Sequence, residues 1–281
     1  MTSDSLQRLV FRLTRNPLSI AGALIVLIMV IFTLGAPLLA PYPRHIGTFV
    51  DFANASHPPG AVHWFGTDDV GRDILSRAIF GLRTSLGLSV VVLAIAVPVG
   101  VVIGLIAGYF GGIGGAILMR ITDVFLALPP LVLAMAIMGL LAPTMTNVMV
   151  AISVMYWPWH TRLAYSLARS LRQEDYVAAS RIVGASNAYI MFSEILPNCI
   201  PSILIKTTFD LAFVILLIAS LGFVGLGVQP PTPDLGRMVA DGVRFLPFGW
   251  WISLFPGLMV MVAVLGFSLF GDGLRDALED R

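Results

Sequence analysis

Charge and cysteine are both scarce in this 281-residue chain, and each shortage excludes a class of protein. Only 12% of the residues are charged, about half the share of a soluble domain, while 57% are hydrophobic. The single cysteine, Cys199, excludes an internal disulfide and a CxxC metal motif. A net charge of +1 does not indicate the basic surface that nucleic-acid binding needs. The composition therefore predicts a polytopic membrane protein that binds no nucleic acid.

Motifs for catalysis and nucleotide binding are also missing. The one lysine, Lys206, stands in PSILIKTT without the glycine loop that a P-loop needs to hold phosphates. The chain has no GxSxG elbow, no HExxH pair and no evident pair of catalytic carboxylates. His57 and His63 share one loop, where ordinary loop polarity and a metal site are alternative interpretations. We expect no catalytic residue, no metal ligand and no bound cofactor, so any uphill work must draw energy from another subunit.

Long apolar runs are what the chain has in abundance. Six of them approach the roughly 20 residues that cross a bilayer as a helix. They cover residues 18–40, 84–108, 118–141, 145–163, 205–226 and 251–270. The first follows three arginines and exceeds the about 7–15 apolar residues of a signal peptide, so we interpret it as a retained span.

Basic residues indicate the orientation of these spans. With both termini inside, eleven basic residues face the cytoplasm: Arg8, Arg12, Arg15, Arg120, Arg162, Arg169, Arg172, Arg181, Lys206, Arg275 and Arg281. Six face outward: Arg44, Arg72, Arg77, Arg83, Arg237 and Arg244. This excess favours cytoplasmic termini.

The spans lack features of two other transport classes. Ion-driven transporters place ionisable groups near the bilayer midplane. Here Asp123 lies one turn from Arg120, and Asp210 one turn from Lys206, both near cytoplasmic ends. We predict local pairing for these acids. No TVGYG-like filter is present, which disfavours a potassium-type channel.

A polar hairpin interrupts the spans at EDYVAASRIVGASNAYIMFSEILPN, residues 174–198. Its first limb places Tyr176, Ala179 and Ile182 or Val183 at helical spacing, and Gly184 ends that pattern. Both limbs are too short and too polar to cross a membrane, yet each has an apolar face to bury. The second limb repeats this helical spacing at Tyr189, Phe192 and Ile195 or Leu196. Pro197 is expected to break the second helix.

Docking on a partner explains such a face better than docking on lipid. A lipid-bound helix is expected to have a polar face rich in Lys and Arg. Here Glu174, Asp175 and Arg181 mix both signs, which favours a groove on a protein partner.

The hairpin resembles the cytoplasmic EAA loop of ABC-transporter permeases, with the approximate pattern E-A-A-x3-G-x9-I-x-L-P. Ala178-Ala179-Ser180, Gly184 and Leu196-Pro197 occupy the matching positions. Ala178 replaces the Glu, Ser180 the second Ala, and Glu194 the Ile. The lost acid weakens any expectation of a specific salt bridge to an ATPase.

Motifs along the rest of the chain resemble the second (C-type) permease subunit of dipeptide, oligopeptide and nickel importers. They are RNPLSIAGALIVL, HWFGTDDVGRDILSRAIFGLRTSL, RITDVFLALPPLVLAMAI, SLGFVGLGVQPPTPDLGRMVADG and FSLFGDGLRDALED. The resemblance implies an all-α, six-helix permease fold of type I ABC importers in a bacterial plasma (inner) membrane. It divides the chain into residues 1–83, with the first span and an outer loop, and a five-helix core at 84–281 carrying the coupling hairpin at 174–197.

The resemblance also implies a function and partners. The chain would form the pathway for peptides with a homologous permease, two cytoplasmic ATPases that bind ATP and Mg²⁺, and an extracytoplasmic binding protein. The ATPase-docking residues would be Glu174, Tyr176, Ala178, Ala179, Ser180, Arg181, Gly184, Leu196 and Pro197. Alternatives are a nickel or other small-solute importer of the same subfamily, and a non-transporting membrane scaffold.

Overall fold

The computed structural model describes residues 16–279, where helices form nearly all the regular structure. This part of the chain contains no β-strand, only an isolated bridge between Thr67 and Asp73. The α-helices are α1 (Pro17–Leu34), α2 (Ala36–Leu39), α3 (Ile74–Phe110), α4 (Gly112–Leu126), α5 (Pro130–Leu140), α6 (Met145–Leu171), α7 (Asp175–Ile182), α8 (Asn187–Tyr189), α9 (Leu196–Val224), α10 (Leu235–Val243) and α11 (Trp250–Glu279). Two short 3-10 helices cover Pro43–Ile46 and Phe52–Asn54, and a π-helix covers Ile190–Ile195. The predicted all-α architecture is confirmed.

Four described stretches are long and apolar enough to cross a membrane: Pro17–Leu34, Ile74–Phe110, Asn187–Val224 and Trp250–Leu278. Helices α4 and α5 make a fifth if counted together, although an 85° bend separates them. The bend replaces the uninterrupted span expected at 118–141. It falls at Pro129-Pro130, since proline lacks an N–H and disfavours a helical residue before it. Because α6 is not among these stretches, the count of six spans stays a prediction.

Helix α3 begins ten residues before the predicted start at residue 84. Asp73 caps it, since its Oδ2 accepts hydrogen bonds from the Ser76 backbone N–H at 2.8 Å and the Ser76 hydroxyl at 2.6 Å. The cap and the apolar residues that follow it extend the helix beyond the run that hydropathy alone defines.

The described chain divides into two compact units. Residues 16–91, 135–149 and 208–279 form the first unit. Helix α1 packs along α11 there, and a Cβ on Gly22 would lie only 2.5 Å from the backbone nitrogen of Phe270. Ile215, Leu235 and Ile252 are among the buried residues of this core. The sequence division at residue 84 stays a prediction.

The second unit comprises residues 92–134 and 150–207. Three glycines at four-residue spacing on α3, Gly100, Gly104 and Gly108, lie against the backbone of α6. A Cβ on any of them would fall 2.4–2.7 Å from an α6 carbonyl oxygen, so the helices approach closely. The Thr161 hydroxyl donates to the Gly100 carbonyl oxygen at 3.0 Å across this contact.

Asp123 does not have the local partner that the sequence predicted. Its carboxylate pairs with the guanidinium of Arg162 on α6. Packing of α4 near α6 therefore replaces the pairing with Arg120 one turn away. A helical spacing rule sees only neighbours on the same helix, so it could not find this partner.

Candidate functional site

The first limb of the hairpin is helix α7, and Gly184 ends it as predicted. Gly184 adopts φ +83°, the left-handed conformation that glycine reaches at little cost. Its N–H donates to the Arg181 carbonyl at 3.1 Å, and the Ala185 N–H donates to the Ser180 carbonyl at 3.0 Å. These two bonds form a Schellman motif, which satisfies the last carbonyls of the helix and turns the chain sharply.

The second limb runs directly into a membrane-spanning helix. Ser186 caps it, since its hydroxyl accepts from the Tyr189 N–H at 3.2 Å. The chain then continues through α8, the π-helix and α9 as one helical stretch, Asn187–Val224. The expectation that Pro197 breaks the helix is wrong. Pro197 is the second residue of α9, two residues after the π-helix ends at Ile195, and the wider π-turn before it tolerates the missing N–H.

Buried side chains hold both limbs against the helices of the second unit. Val177, Ile190 and Ile195 are fully buried in one apolar cluster with Leu105 of α3. Burying one such side chain contributes about 1.5–3 kcal/mol. Packed contacts therefore join the hairpin to the helices of the second unit, in addition to the continuous helix of the second limb.

Polar contacts at Tyr109 strengthen this attachment. Its hydroxyl donates to Asn187 Oδ1 at 2.8 Å, and the Arg181 guanidinium lies 5.3 Å from the centre of its ring. A cation over an aromatic face contributes roughly 0.5–1 kcal/mol at such a site. The last turn of α3 thus contacts both limbs of the hairpin.

Two departures from the EAA pattern contact each other. The Ser180 hydroxyl donates a hydrogen bond to Glu194 Oε1, which joins the two limbs. The Asn198 side-chain amide donates to the Glu194 carbonyl oxygen at 2.7 Å and to the Tyr176 hydroxyl at 3.4 Å. A carboxylate acceptor makes the Ser180 bond stronger than a neutral pair. The substituted residues therefore form a cross-limb contact of their own.

The apolar face predicted for the first limb points away from the protein. Ile182 and Val183 are 87% and 82% exposed at the tip of the hairpin. Tyr176 and Ala179 on the same limb are exposed too, whereas Val177, which the spacing did not select, is buried. The limb thus has one side chain packed into the bundle and a separate apolar surface at its tip.

The remaining predicted site residues are distributed around the same hairpin. Glu174 occupies the N-cap position of α7 without a capping bond from its side chain. Ala178 and Pro197 are exposed, and Leu196 is half-buried. The structure thus brings the predicted set together in one hairpin. On the second limb Tyr189 and Phe192 are exposed while Ile195 is buried, so its predicted face is split.

Internal hydrogen bonds hold the acidic loop before α3. Asp68 accepts from the Arg72 N–H at 2.8 Å and from Arg72 Nε at 2.7 Å. Thr67 is fully buried, and its carbonyl oxygen accepts from Trp251 Nε1 at 3.2 Å. Within residues 16–279, no group of three or more His, Cys, Asp or Glu side chains is placed to hold a metal ion.

Asp234 was not recognised from the sequence, although it is the N-cap residue of helix α10. It is buried, and its Oδ1 accepts from the Arg237 N–H at 2.8 Å while Oδ2 has no hydrogen-bond partner in the described chain. Burial raises the pKa of this carboxyl to about 6. Gly222 makes room for it, since a Cβ there would lie 2.0 Å from Asp234 Oδ1. An Asp directly before an apolar-periodic stretch is the N-cap signal that could have identified it.

The first unit contains a large apolar cavity that could not be predicted from the sequence, because its lining residues lie far apart along the chain. Its volume is about 650 Å³, within the range of small-molecule sites. Arg83, Thr84 and Thr232 supply polar groups to an otherwise mainly apolar lining. Such a lining suits contact with a small, partly apolar molecule that carries a polar or negatively charged end.

Comparison with protein families identifies two matching regions. Residues 100–281, which include the hairpin, match the family described as "Binding-protein-dependent transport system inner membrane component". Residues 5–59 match the "N-terminal TM domain of oligopeptide transport permease C".

Curated relatives align over nearly the whole chain. The "probable D,D-dipeptide transport system permease protein DdpC" of Escherichia coli (strain K12) is 39% identical over 274 residues, covering 98% of this chain and 91% of the relative. The "Di/tripeptide transport system permease protein DppC" of Pseudomonas aeruginosa (strain UCBPP-PA14) is 41% identical, covering 95% and 89%. The "Glutathione transport system permease protein GsiD" of Shigella flexneri is 38% identical, covering 96% and 88%.

A solved structure shows the same fold. It is titled "Inward facing conformations of the MetNI methionine ABC transporter: CY5 SeMet soak crystal form", and it matches with a TM-score of 0.56 at 18% identity. The match covers 73% of this chain and 96% of that chain. It confirms the permease fold of type I ABC importers. The family match and the relatives show that this chain belongs to the inner-membrane components of binding-protein-dependent transport systems, the permease subunits of ABC importers.

Proposed function

We propose that this chain forms the translocation pathway for short peptides together with a homologous permease. Support comes from relatives named for dipeptides, di/tripeptides and glutathione, each aligned over most of both chains. An extracytoplasmic binding protein delivers the peptide. Two cytoplasmic ATPases supply the energy by binding ATP and Mg²⁺, and this chain contributes no catalytic residue.

The hairpin at 174–197 is the part of this chain that an ATPase binds. The observation that carries this proposal is the apolar tip, where Ile182 and Val183 are almost fully exposed. Water-exposed aliphatic side chains at the end of a protruding helix favour insertion into a groove on a protein. Glu174, Tyr176, Ala178, Ala179, Ser180, Arg181, Gly184, Leu196 and Pro197 make up or support this docking surface.

Closure of the ATPases on ATP then moves the hairpin, and the packed limbs move the spans. Val177 and Ile190 anchor the hairpin in the apolar cluster, and the second limb is continuous with α9. The pathway opening switches sides because two packed arrangements of the spans are exchanged, with the hairpin as the element that the ATPase biases.

Cytoplasmic location of the hairpin follows from the orientation favoured by the basic residues. Both termini face the cytoplasm in this arrangement, with eleven of the basic residues inside and six outside. We propose that the protein is a multi-pass component of a bacterial plasma membrane. The scaffold alternative predicts no ATPase bound at the hairpin.

Uptake of a labelled dipeptide tests the coupling role. The double substitution Ile182→Ser and Val183→Ser removes most of the apolar tip but no buried contact. Each side chain that is no longer buried against the partner costs about 1.5–3 kcal/mol of binding free energy, so ATP-driven uptake should fall at least about tenfold. A matched pair, Ile182→Val with Val183→Ile, preserves the apolar surface and should transport normally. Normal uptake by correctly inserted serine variants would reject the coupling role.

A further inference from the structure

A small polar cavity in the second unit lies beside the hairpin's supporting helices, and none of its lining residues belongs to the proposed docking surface. Its volume is about 180 Å³, and it is formed by the end of α3, the start of α4 and the end of α6. Gly111 and Gly112, Ala116, Tyr165, Arg169 and Arg172 contribute to its lining. No carboxylate is among the lining residues, which makes the cavity cationic.

The two arginines have no acidic partner within residues 16–279. Arg172 Nη1 donates to the carbonyl oxygens of Tyr109 at 3.0 Å and Gly108 at 3.4 Å, so it is fixed at the C-terminus of α3. Arg169 is exposed and donates from Nη1 to the Tyr165 hydroxyl at 3.3 Å. Arginine presents several donors in one plane, so both side chains keep donors for an anion.

Glycines leave the backbone at this cavity uncovered. Gly111, the N-cap residue of α4, and Gly112, its first residue, have φ values of +63° and +60°. A Cβ on Gly111 would lie 3.0 Å from Arg172 Nη1, so a larger residue would crowd the guanidinium. The first N–H groups of α4 add a modest positive potential to that of the arginines. The site depends on the two arginines, and the helix terminus only reinforces them.

The size of the cavity limits its occupant. Drug-sized ligands need about 300–1,000 Å³, more than this cavity holds. A liquid water occupies about 30 Å³, so the space of about 180 Å³ suits one phosphate-sized group with a few waters. A nucleotide or a peptide does not fit.

Its position along the chain indicates where the anion comes from. The apolar run of α3 ends at residue 108, and Arg169 and Arg172 follow the apolar run of α6 that ends at residue 163. Arg169 lies six residues, about 9 Å of helix, beyond the α6 run, and its long side chain reaches back toward headgroup level. Basic pockets between membrane helices on the cytoplasmic side bind the headgroups of anionic lipids.

We propose that this cavity binds the phosphate of an anionic phospholipid from the cytoplasmic leaflet, with Arg169 and Arg172 as its ligands. The inference rests on the proposed orientation only for the choice of leaflet. Lipid bound here holds the ends of α3 and α6, the helices that carry Tyr109 and lead into the hairpin. Its test reads lipid binding, not transport, so it can fail while the proposed transport function stands.

Binding of phosphatidylglycerol to the complete transporter tests this site. The transporter is placed in phosphatidylcholine nanodiscs that contain increasing fractions of phosphatidylglycerol. A photoreactive phosphatidylglycerol should label the peptide containing Arg169. Arg169→Gln should weaken its binding about fivefold, since each basic residue near an anionic surface contributes about 1 kcal/mol. Ala116→Leu fills the cavity without changing charge and should also weaken binding.

Arg120→Gln is the matched control, because Arg120 is an exposed arginine on α4 that does not line the cavity. It should leave phosphatidylglycerol binding unchanged. Equal losses in Arg120→Gln and Arg169→Gln, or unchanged binding in Ala116→Leu, would reduce the effect to general surface charge and overturn the site. Full displacement of the lipid by excess inorganic phosphate would assign a soluble anion instead. A cross-link from position 169 to a carboxylate of an ATPase would assign a protein partner and also overturn the lipid.

Discussion

Gly184 illustrates how one backbone conformation shapes the whole hairpin. Its φ of +83° reverses the chain between the two limbs, and no atom lies within 4 Å of where a Cβ would be placed. Substitution there is therefore opposed by the backbone conformation alone, not by crowding. The sequence identified this glycine correctly because a left-handed helix C-cap is a local property.

Substitutions of Gly184 should destabilise the turn, and alanine should do so more than asparagine. Gly184→Ala is expected to cost about 1–2 kcal/mol, because an L-residue is strained at positive φ. Gly184→Asn should cost less, since asparagine visits this conformation more readily. Hydrogen exchange of the Gly184 and Ala185 amides would measure the opening of the turn. Equal protection in the alanine variant and the unmodified protein would contradict the strain argument.

Asp234 predicts a pH dependence of stability. Its folded-state pKa of about 6 lies above the usual 3.8, so the folded protein binds more protons between these values than the unfolded protein does. Stability should therefore fall as pH rises from about 4 to about 6, by up to about 3 kcal/mol, and stay level above that range. Thermal unfolding in detergent between pH 4 and 7 would measure this slope.

Asp234→Asn should remove that slope, because the amide stays neutral and retains an oxygen for the Arg237 N–H. Asp241→Asn serves as the control. Asp241 pairs with Arg237 at 3.0 Å and is 38% exposed, so the slope should persist without it. A slope that survives in Asp234→Asn would show that another group titrates.

At the scale of the helix, periodicity predicts that a segment is amphipathic but not which neighbour each face meets. Helix α7 has a buried side, at Val177, and an exposed apolar tip, at Ile182 and Val183. Sequence spacing selected the second and missed the first, because burial of Val177 depends on α3 and on the second limb. The π-helix at Ile190–Ile195, which comes just before Pro197, likewise depends on how the two limbs pack. The pairing of Asp123 with Arg162 has the same origin.

The glycine stripe on α3 gives a prediction at this scale. Gly104→Ala would place a Cβ 2.4 Å from the Thr161 carbonyl oxygen and should force α3 and α6 apart. Overpacking of this kind costs about 1–3 kcal/mol. Gly87→Ala, on the same helix with no atom within 4 Å of its Cβ, should be neutral or stabilising by up to about 1 kcal/mol. Thermal unfolding of both variants tests this, and equal effects would exclude close helix packing as the cause.

At the scale of the whole molecule, composition alone established the membrane class, and motif order established the family. Neither could give the partners' contacts, because those depend on surfaces that are complete only in the assembled transporter. The apolar tip at Ile182 and Val183 is such a surface, since no other part of the described chain covers it. The proposed docking role assigns this tip to a partner on the side of the membrane that the hairpin faces.

Site-specific photo-crosslinking of the assembled transporter in native membranes shows directly whether an ATPase binds the hairpin tip. Val183 and Phe248, 82% and 88% exposed, are each replaced with benzoylphenylalanine in separate proteins. We expect position 183 to cross-link to an ATPase subunit, and we expect no such cross-link from position 248, in the segment between α10 and α11. Cross-linking of position 183 to lipid alone, or to the extracytoplasmic binding protein, would contradict this expectation.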